Sequence, residues 1–179
     1  MIAVFFADGF EEGEGIIPVD LFRRAGLEVK TISITNSNQV VGSHNITVTT
    51  DLVWDEFAAE DYNTLVLPGG LRGTENLTNF APLQAVINSH FASGKLCCAI
   101  CAAPTIFGKL GILSGKNYTC FPGFEDASFG GSYQNTPLVH DGNIITGRAM
   151  NASVEFAREI IKALKPEGLA QVEEGIQYE

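Results

Sequence analysis

Short apolar runs alternate with longer amphipathic stretches along the chain. Residues 2–7, 65–67 and 96–100 are uninterrupted apolar runs that end at turn-forming or small residues. Strands without polar alternation are typical of a sheet covered on both faces, so these runs predict buried strands. A further strand is predicted at 27–34, and hairpins are predicted at 40–50 and 137–146.

Amphipathic stretches between the strands predict helices. The predicted helices are one that ends at Gly26, two at 81–93 and 102–110, one at 153–164 and a C-terminal one at about 167–179, with 51–61 as a connecting stretch. Because strands and helices alternate, we expect an α/β fold, a three-layer sandwich with a mainly parallel central sheet. No linker or composition break divides the chain, so residues 1–179 are expected to form a single domain.

The composition excludes several classes of protein. The 179 residues are 45% hydrophobic and 18% charged, which argues against intrinsic disorder. Lys plus Arg number 11 and Asp plus Glu 21, a net charge of −10, so we expect no nucleic-acid-binding face. The longest apolar run is far shorter than the roughly 20 residues that cross a bilayer. Acidic residues follow the first strand and no basic segment precedes it. We therefore expect no membrane span, no signal peptide and a cytoplasmic location.

The four cysteines agree with that location. Cys97, Cys98 and Cys101 crowd into one apolar segment, and Cys120 stands apart. Adjacent cysteines on a strand point to opposite faces and do not make a disulfide framework. Cys98 and Cys101 have no second ligand pair at a suitable spacing, so we expect no metal site.

The junction between the 96–100 strand and the next helix has the pattern of a nucleophile elbow. Cys101 stands at the junction, preceded by Ala99 and followed by Ala102 and Ala103. Such a turn is tight and strained, and bulky neighbours would clash. A thiol at a helix N-terminus is expected to have a lowered pKa and to react as a thiolate. The alternative is a buried core cysteine, since free cysteine is among the most buried residue types.

Three motifs together resemble those of a known family. They are Phe10-Glu11-Glu12-Gly13-Glu14 with the following Ile17-Pro18-Val19-Asp20-Leu21 and Arg23-Arg24-Ala25-Gly26, then Leu67-Pro68-Gly69-Gly70, and then Ala99-Ile100-Cys101-Ala102-Ala103-Pro104. In this order they resemble the ThiJ/PfpI superfamily, and most of all its Parkinsonism-associated protein deglycase branch and the bacterial relatives of that branch. The resemblance covers essentially the whole chain. It implies a flavodoxin-like sandwich and a homodimer.

The resemblance also implies a site and an activity. It makes Cys101 the reactive cysteine, Glu14 the carboxylate that reaches over it, and Gly70 and Ala102 the backbone N–H donors to an oxyanion. It implies a cofactor-free glyoxalase or deglycase that acts on methylglyoxal-type aldehydes, through a hemithioacetal on Cys101. The alternative is a non-enzymatic oxidative-stress sensor or chaperone in which Cys101 is oxidised to sulfinic acid and Glu14 stabilises that product.

A carboxyl group beside a thiol has an electrostatic consequence. Two acids that share a site do not both ionise easily, so we expect the pKa of Glu14 to be raised and Glu14 to be protonated, with its proton donated to the sulfur in a hydrogen bond. Such a pair provides a proton donor and acceptor for acid–base catalysis. Without the family motifs, Glu14 would be interpreted as a solvated loop carboxylate, like its neighbours Glu11 and Glu12.

Five further residues border the site by resemblance: Gly69, Arg24, His44, Phe121 and Cys120. Arg24 is otherwise a surface cation and His44 a solvated loop histidine. Cys120 is either a buried structural thiol or, if close enough, the partner that resolves an oxidised reactive cysteine. Phe121 stands where many relatives carry histidine, which weakens a third interpretation as a Cys–His hydrolase or amidotransferase.

Two further expectations concern the remaining histidines and the first helix. His90 and His140 are expected to be exposed. Ile16, Ile17 and Val19 on the first helix are the candidate dimer interface, and the alternative is that they pack on the sheet.

Overall fold

Strands alternate with helices along the chain in the computed structural model of the protein, which describes residues 1–178. The strands are β1 (Ile2–Phe6), β2 (Val29–Ser33), β3 (Gln39–Val41), β4 (Thr47–Thr49), β5 (Leu52–Val53), β6 (Thr64–Leu67), β7 (Leu96–Ile100), β8 (Asn117–Tyr118), β9 (Ser132–Tyr133), β10 (Leu138–Asp141) and β11 (Ile144–Gly147). The α-helices are α1 (Glu12–Arg24), α2 (Leu71–Asn79), α3 (Ala81–Ala92), α4 (Pro104–Lys109), α5 (Ser153–Leu164) and α6 (Leu169–Gly175).

A central sheet of seven strands organises the fold. Its order is β10-β11-β7-β6-β1-β2-β5. Neighbouring strands are parallel except β10 and β11, which form an antiparallel hairpin at one edge. The fold is therefore the predicted α/β sandwich with a mainly parallel sheet. Its parallel strands bring the segments after β1, β6 and β7 to the same edge, where sites form in such sheets.

Two hydrophobic cores, one on each face of the sheet, make the three layers. Ile2, Val4 and Phe6 of β1 pack with α1, α5 and α6, whereas Ala3 and Phe5 point to the other face, against α2, α3 and α4. This alternation follows from the two-residue period of a strand. Cys97 and Cys98 obey the same rule and lie in opposite cores, as predicted.

Several elements differ from the predicted ones. The sequence did not predict α2, and the expected connecting stretch contains β5, which pairs with β2 at the sheet edge. Helix α4 begins at Pro104 and not at Ala102, because residues 101–103 form the turn itself. The C-terminal helix is limited to Leu169–Gly175 and follows a 3₁₀ turn at Pro166–Gly168; residue 179 of the expected helix and domain lies outside the described residues. None of the helices described is long and apolar enough to cross a membrane.

Candidate active site

Cys101 lies at the predicted elbow, in a backbone conformation that few residues other than glycine adopt. Its φ is +66°, in the left-handed region, which costs a non-glycine residue on the order of 1–2 kcal/mol. The surrounding backbone holds it there. The N–H of Cys101 donates to the carbonyl of Gly147 at 2.9 Å, and its carbonyl accepts from the N–H of Phe121 at 2.8 Å. Cys101 is half-buried.

Glu14 reaches Cys101 from the first turn of α1. The N–H of Glu14 is capped by Oε2 of Glu11 at 2.8 Å, which fixes the start of the helix. Gly15 then lets α1 lie close to β1, because a Cβ there would be 2.6 Å from the ring of Phe6. The Glu14 side chain is 1% exposed and is hydrogen-bonded to the thiol of Cys101.

Backbone N–H groups of three residues surround this pair. The N–H of Gly69 donates to Oε2 of Glu14 at 3.0 Å. The N–H groups of Gly70 and Ala102, the two expected oxyanion donors, lie beside the sulfur of Cys101 and act to lower its pKa. Gly70 has a φ of +88° and begins α2, a conformation that glycine adopts without strain.

Burial raises the pKa values of both acids in the pair. Burial raises the pKa of Glu14 to about 7, against smaller lowering effects of its hydrogen bonds to Cys101 and Gly69. Burial and then the Glu14 charge raise the pKa of the Cys101 thiol to about 12, although the N–H groups of Gly70 and Ala102 act in the opposite direction. The direction predicted for Glu14 is confirmed, but the predicted lowering of the thiol pKa is wrong. Helix α4 starts three residues too late, at a proline without an N–H, for its dipole to compensate burial.

Glu12 has a role in this region that was not predicted from the sequence. It is 7% exposed and not solvated, because the 42–45 loop folds over it. Its Oε1 accepts from the His44 N–H at 2.7 Å, and its Oε2 lies 2.8 Å from His44 Nδ1 and 3.1 Å from Ser43 Oγ. Burial alone would raise the pKa of Glu12, but these hydrogen bonds outweigh it and lower the pKa to about 2. The bond to Glu12 also raises the pKa of His44.

The same cluster offers little to a metal ion. One ligand atom each of Glu11, Glu12 and His44 lie within 4.8 Å of one another. The Glu12 oxygens already accept hydrogen bonds from His44 and Ser43, and Glu11 Oε2 caps the N–H of Glu14. These carboxylates therefore organise the loop and the helix start. The His44 ring bonds Glu12 through Nδ1, and 70% of the side-chain surface is exposed.

Two of the residues expected at the pocket wall lie elsewhere. Arg24 is at the far end of α1, about 15 Å beyond Glu14 at 1.5 Å per residue, where it pairs with Asp20 at 2.7 Å. Cys120 is fully buried in the core on the α2–α4 side, whereas Cys101 packs against the opposite core. Burial and the Glu125 charge raise the Cys120 pKa to about 12, consistent with a structural thiol.

Phe121 is at the rim, as expected. Its side chain is 44% exposed and packs edge to face on Phe124, with ring centroids 6.0 Å apart. His140 is exposed as predicted and bonds Glu159 at 2.9 Å. The prediction for His90 is wrong. It is 3% exposed, with Nε2 at 3.0 Å from the carbonyl of Tyr62, because the end of α3 covers the start of β6.

Comparisons with known sequences give a consistent result. The DJ-1/PfpI family model matches residues 1–163. Protein dj-1beta of Drosophila melanogaster is 34% identical over 163 residues, which cover 90% of this chain and 87% of that protein. A protein named deglycase from Pyrococcus abyssi is 31% identical over 166 residues, which cover 92% of this chain and 99% of that protein.

Solved structures are similar over nearly the whole length. A DJ-1 superfamily protein from Salmonella typhimurium, solved as a cysteine-to-alanine mutant, has a TM-score of 0.92 and 34% identity, and covers 99% of this chain and 98% of that one. Toxoplasma gondii DJ-1, solved oxidized, has a TM-score of 0.92 and 28% identity, and covers 99% of this chain and 97% of that one.

Proposed function

Because the chain belongs to the DJ-1/PfpI family, we propose that it is a cofactor-free, cysteine-dependent enzyme that acts on methylglyoxal-like aldehydes or their adducts. The observation that carries the proposal is the buried pair of Cys101 and Glu14, with the N–H groups of Gly70 and Ala102 directed at the sulfur. A nucleophile, an acid–base group and two donors thus share one site. Relatives that are named deglycase support this class of substrate.

The first step is the addition of the thiol to the aldehyde carbon. Glu14, with a pKa of about 7, is partly ionised at neutral pH and accepts the proton of the Cys101 thiol as the sulfur–carbon bond forms. The aldehyde oxygen gains the negative charge. The N–H groups of Gly70 and Ala102 lie beside the sulfur and would stabilise the charge on this oxygen. Glu14 then gives the proton to this oxygen, so the product is a neutral hemithioacetal on Cys101 and Glu14 is again ionised.

The second step moves hydrogen within the hemithioacetal. Glu14 removes the proton from the carbon bound to sulfur and returns it to the neighbouring carbon, while the hydroxyl proton of the hemithioacetal passes to the neighbouring ketone oxygen. Methylglyoxal hemithioacetal thereby becomes a lactate thioester through an enediol. Water then cleaves the thioester, releases lactate and restores the Cys101 thiol. The net reaction adds one water to methylglyoxal, so no external oxidant or reductant is needed.

Methylglyoxal consumption with chiral detection of lactate tests this proposal. Wild type is expected to form lactate, and both Cys101→Ser and Glu14→Gln are expected to lose the activity. Cys97→Ala is the matched control, because it removes a cysteine that is fully buried in the opposite core. Full activity in Glu14→Gln, or no lactate from wild type, would overturn the aldehyde mechanism.

A second function uses the same thiol. Toxoplasma gondii DJ-1 has been solved oxidized, which supports a redox sensor or chaperone in which two peroxide molecules oxidise Cys101 to sulfinic acid and release two waters. Intact mass after peroxide treatment tests it. A Cys101-dependent gain of two oxygens without aldehyde turnover would favour the sensor, whereas turnover that oxidation abolishes would favour the enzyme.

We also propose that the protein is a homodimer of single-domain chains. Val19 is buried in the core, but Ile16 is 41% exposed on α1 and Met150, beside Gly13, is 49% exposed. These apolar side chains flank the site and would be covered by a second copy. Sedimentation at several concentrations tests the proposal. We expect a dimer that Ile16→Asp dissociates, and a monomer at every concentration would refute it.

A further inference from the structure

A groove on the surface of α2 adjoins the reactive cysteine and has no part in the mechanism above. It has a volume of about 460 Å³. It starts at Leu71 and Ala102, the residues that follow Gly70 and Cys101, and continues to Phe124. Leu71 is 72% exposed, and Phe124 is half-buried. The part of the groove nearest to the sulfur is therefore apolar.

Thr74 in the wall of this groove lacks a partner for its hydroxyl. It is 6% exposed, and its Oγ1 has no hydrogen-bond partner among the described residues. Thr105, on the opposite wall, donates its hydroxyl to the Ala102 carbonyl at 2.8 Å. A buried hydroxyl without a partner destabilises the fold, so its presence beside a reactive group points to a ligand atom that satisfies it.

The far part of the groove is acidic. Glu75, Glu125 and Asp126 line it, and Lys109 is the cation among its lining residues. Glu75 makes no hydrogen bond or ion pair within the described residues. Glu125 and Asp126 each use one oxygen to bind a backbone N–H, of Gly123 at 2.7 Å and of Ser128 at 2.7 Å. Three carboxylates against one ammonium give the groove a net negative charge.

We propose that this groove binds the non-reacting end of the substrate and selects aldehydes whose far end is cationic over those whose far end is anionic. The inference rests on the proposed function, because it treats the bound molecule as a substrate. The charge selectivity, however, is a property of the approach to Cys101 and is measurable without turnover. An apolar segment would lie between Leu71 and Phe124, a polar atom would meet Thr74, and a cation would lie among the carboxylates.

Modification of Cys101 by charged thiol reagents tests the selectivity directly. The probes are a trimethylammonium-ethyl and a sulfonatoethyl methanethiosulfonate, which transfer groups of similar size and opposite charge to a thiol. Cys97, Cys98 and Cys120 are fully buried, so intact mass reports Cys101, and Cys101→Ser is the blank. The ratio of the rate with the cationic probe to the rate with the anionic probe is expected to be roughly three- to tenfold higher for wild type than for a free thiol.

Charge variants separate the groove from Glu14, which also repels anions. The triple variant Glu75→Gln, Glu125→Gln, Asp126→Asn is expected to lower the cation-to-anion rate ratio at least threefold, and Lys109→Gln is expected to raise it. The control replaces Glu28, Glu60 and Glu167, all exposed and outside the groove, by Gln and removes the same net charge.

The outcomes distinguish this inference from the proposed function. A ratio that falls in the groove variant but not in the control supports the subsite, whether or not aldehydes are turned over. Equal ratios in wild type, groove variant and control overturn it, even if lactate is formed. If lactate is formed, kcat/KM for phenylglyoxals with a cationic or an anionic para substituent is expected to follow the same order.

Discussion

Replacing Glu14 by Gln is expected to stabilise the protein at alkaline pH and much less at acidic pH. The pKa of Glu14 is raised from its ordinary 4.5 to about 7, so the folded state holds the proton more tightly than the unfolded state. A raised folded-state pKa contributes stability that is fully present below 4.5 and is lost as the pH rises through about 7. At 1.36 kcal/mol per pKa unit, the full loss is about 3 kcal/mol.

Urea unfolding at pH 5 and pH 8.5 measures this effect. Gln at position 14 does not titrate and retains an oxygen for the N–H of Gly69. The variant is therefore expected to gain about 2–3 kcal/mol relative to wild type between the two pH values. Glu60→Gln serves as the control, since Glu60 is exposed near the amino end of β6, and the effect of Glu14→Gln is measured relative to it.

Two results would refute the reasoning. A stability difference between Glu14→Gln and wild type that does not change with pH would mean that Glu14 is solvated when ionised. A variant that loses stability relative to wild type as the pH rises would mean that the ionised carboxylate is favourably paired. Thiolate absorbance over the same range reports which member of the Glu14–Cys101 pair releases the first proton.

Three further predictions follow from contacts in and near the site. Gly69→Ala places a Cβ 2.5 Å from Oε2 of Glu14, so lactate formation is expected to fall at least tenfold while Cys101 remains modifiable; normal turnover would contradict this. The pKa of Glu12 is lowered to about 2, so its pairing with His44 contributes stability above pH 4.5 that is lost as the pH falls towards 2. Glu12→Gln should therefore unfold at a lower urea concentration than wild type at pH 7, and it should lose less stability than wild type on acidification. Burial lowers the pKa of His90, so stability is lost as the pH falls below its ordinary 6.5; His90→Gln should lose about 1–3 kcal/mol at pH 7, and an unchanged urea midpoint would refute its buried role.

The sequence predicted those parts of the fold that depend on local patterns. The apolar runs specified β1, β6 and β7 because a strand covered on both faces has no polar positions. Helix α2 was missed because its sequence, Leu71–Asn79, is rich in residues with weak helix propensity, and only three of its residues are buried. Its formation depends on Gly70 at its start and on burial of Leu77 in the α2–α4 core.

The geometry of the candidate site was predictable where the signal was a short motif and not where distant segments meet. Cys101 and Glu14 stand in such motifs. The burial of Glu12 requires the 42–45 loop, some thirty residues later, to fold over it, and no local pattern reports that contact. The predicted direction of the Cys101 pKa shift was wrong for a related reason. The elbow turn suggested a helix dipole, but burial depends on the surrounding chain.

The backbone around Cys101 supports the mechanism more than its side-chain neighbours do. The family resemblance led us to expect a histidine at position 121, where the chain has Phe121, yet the sulfur already has Glu14 as a proton acceptor and two N–H groups beside it. Those donors are positioned by hydrogen bonds of the chain. The turn after β1 binds the segment after β6 through the Glu11 N–H and the Gly69 carbonyl at 3.0 Å, and the 42–45 loop holds that turn in place. The proposed acid–base function therefore requires no histidine, and changes in these glycine-containing turns are expected to impair the proposed activity more than changes at Phe121.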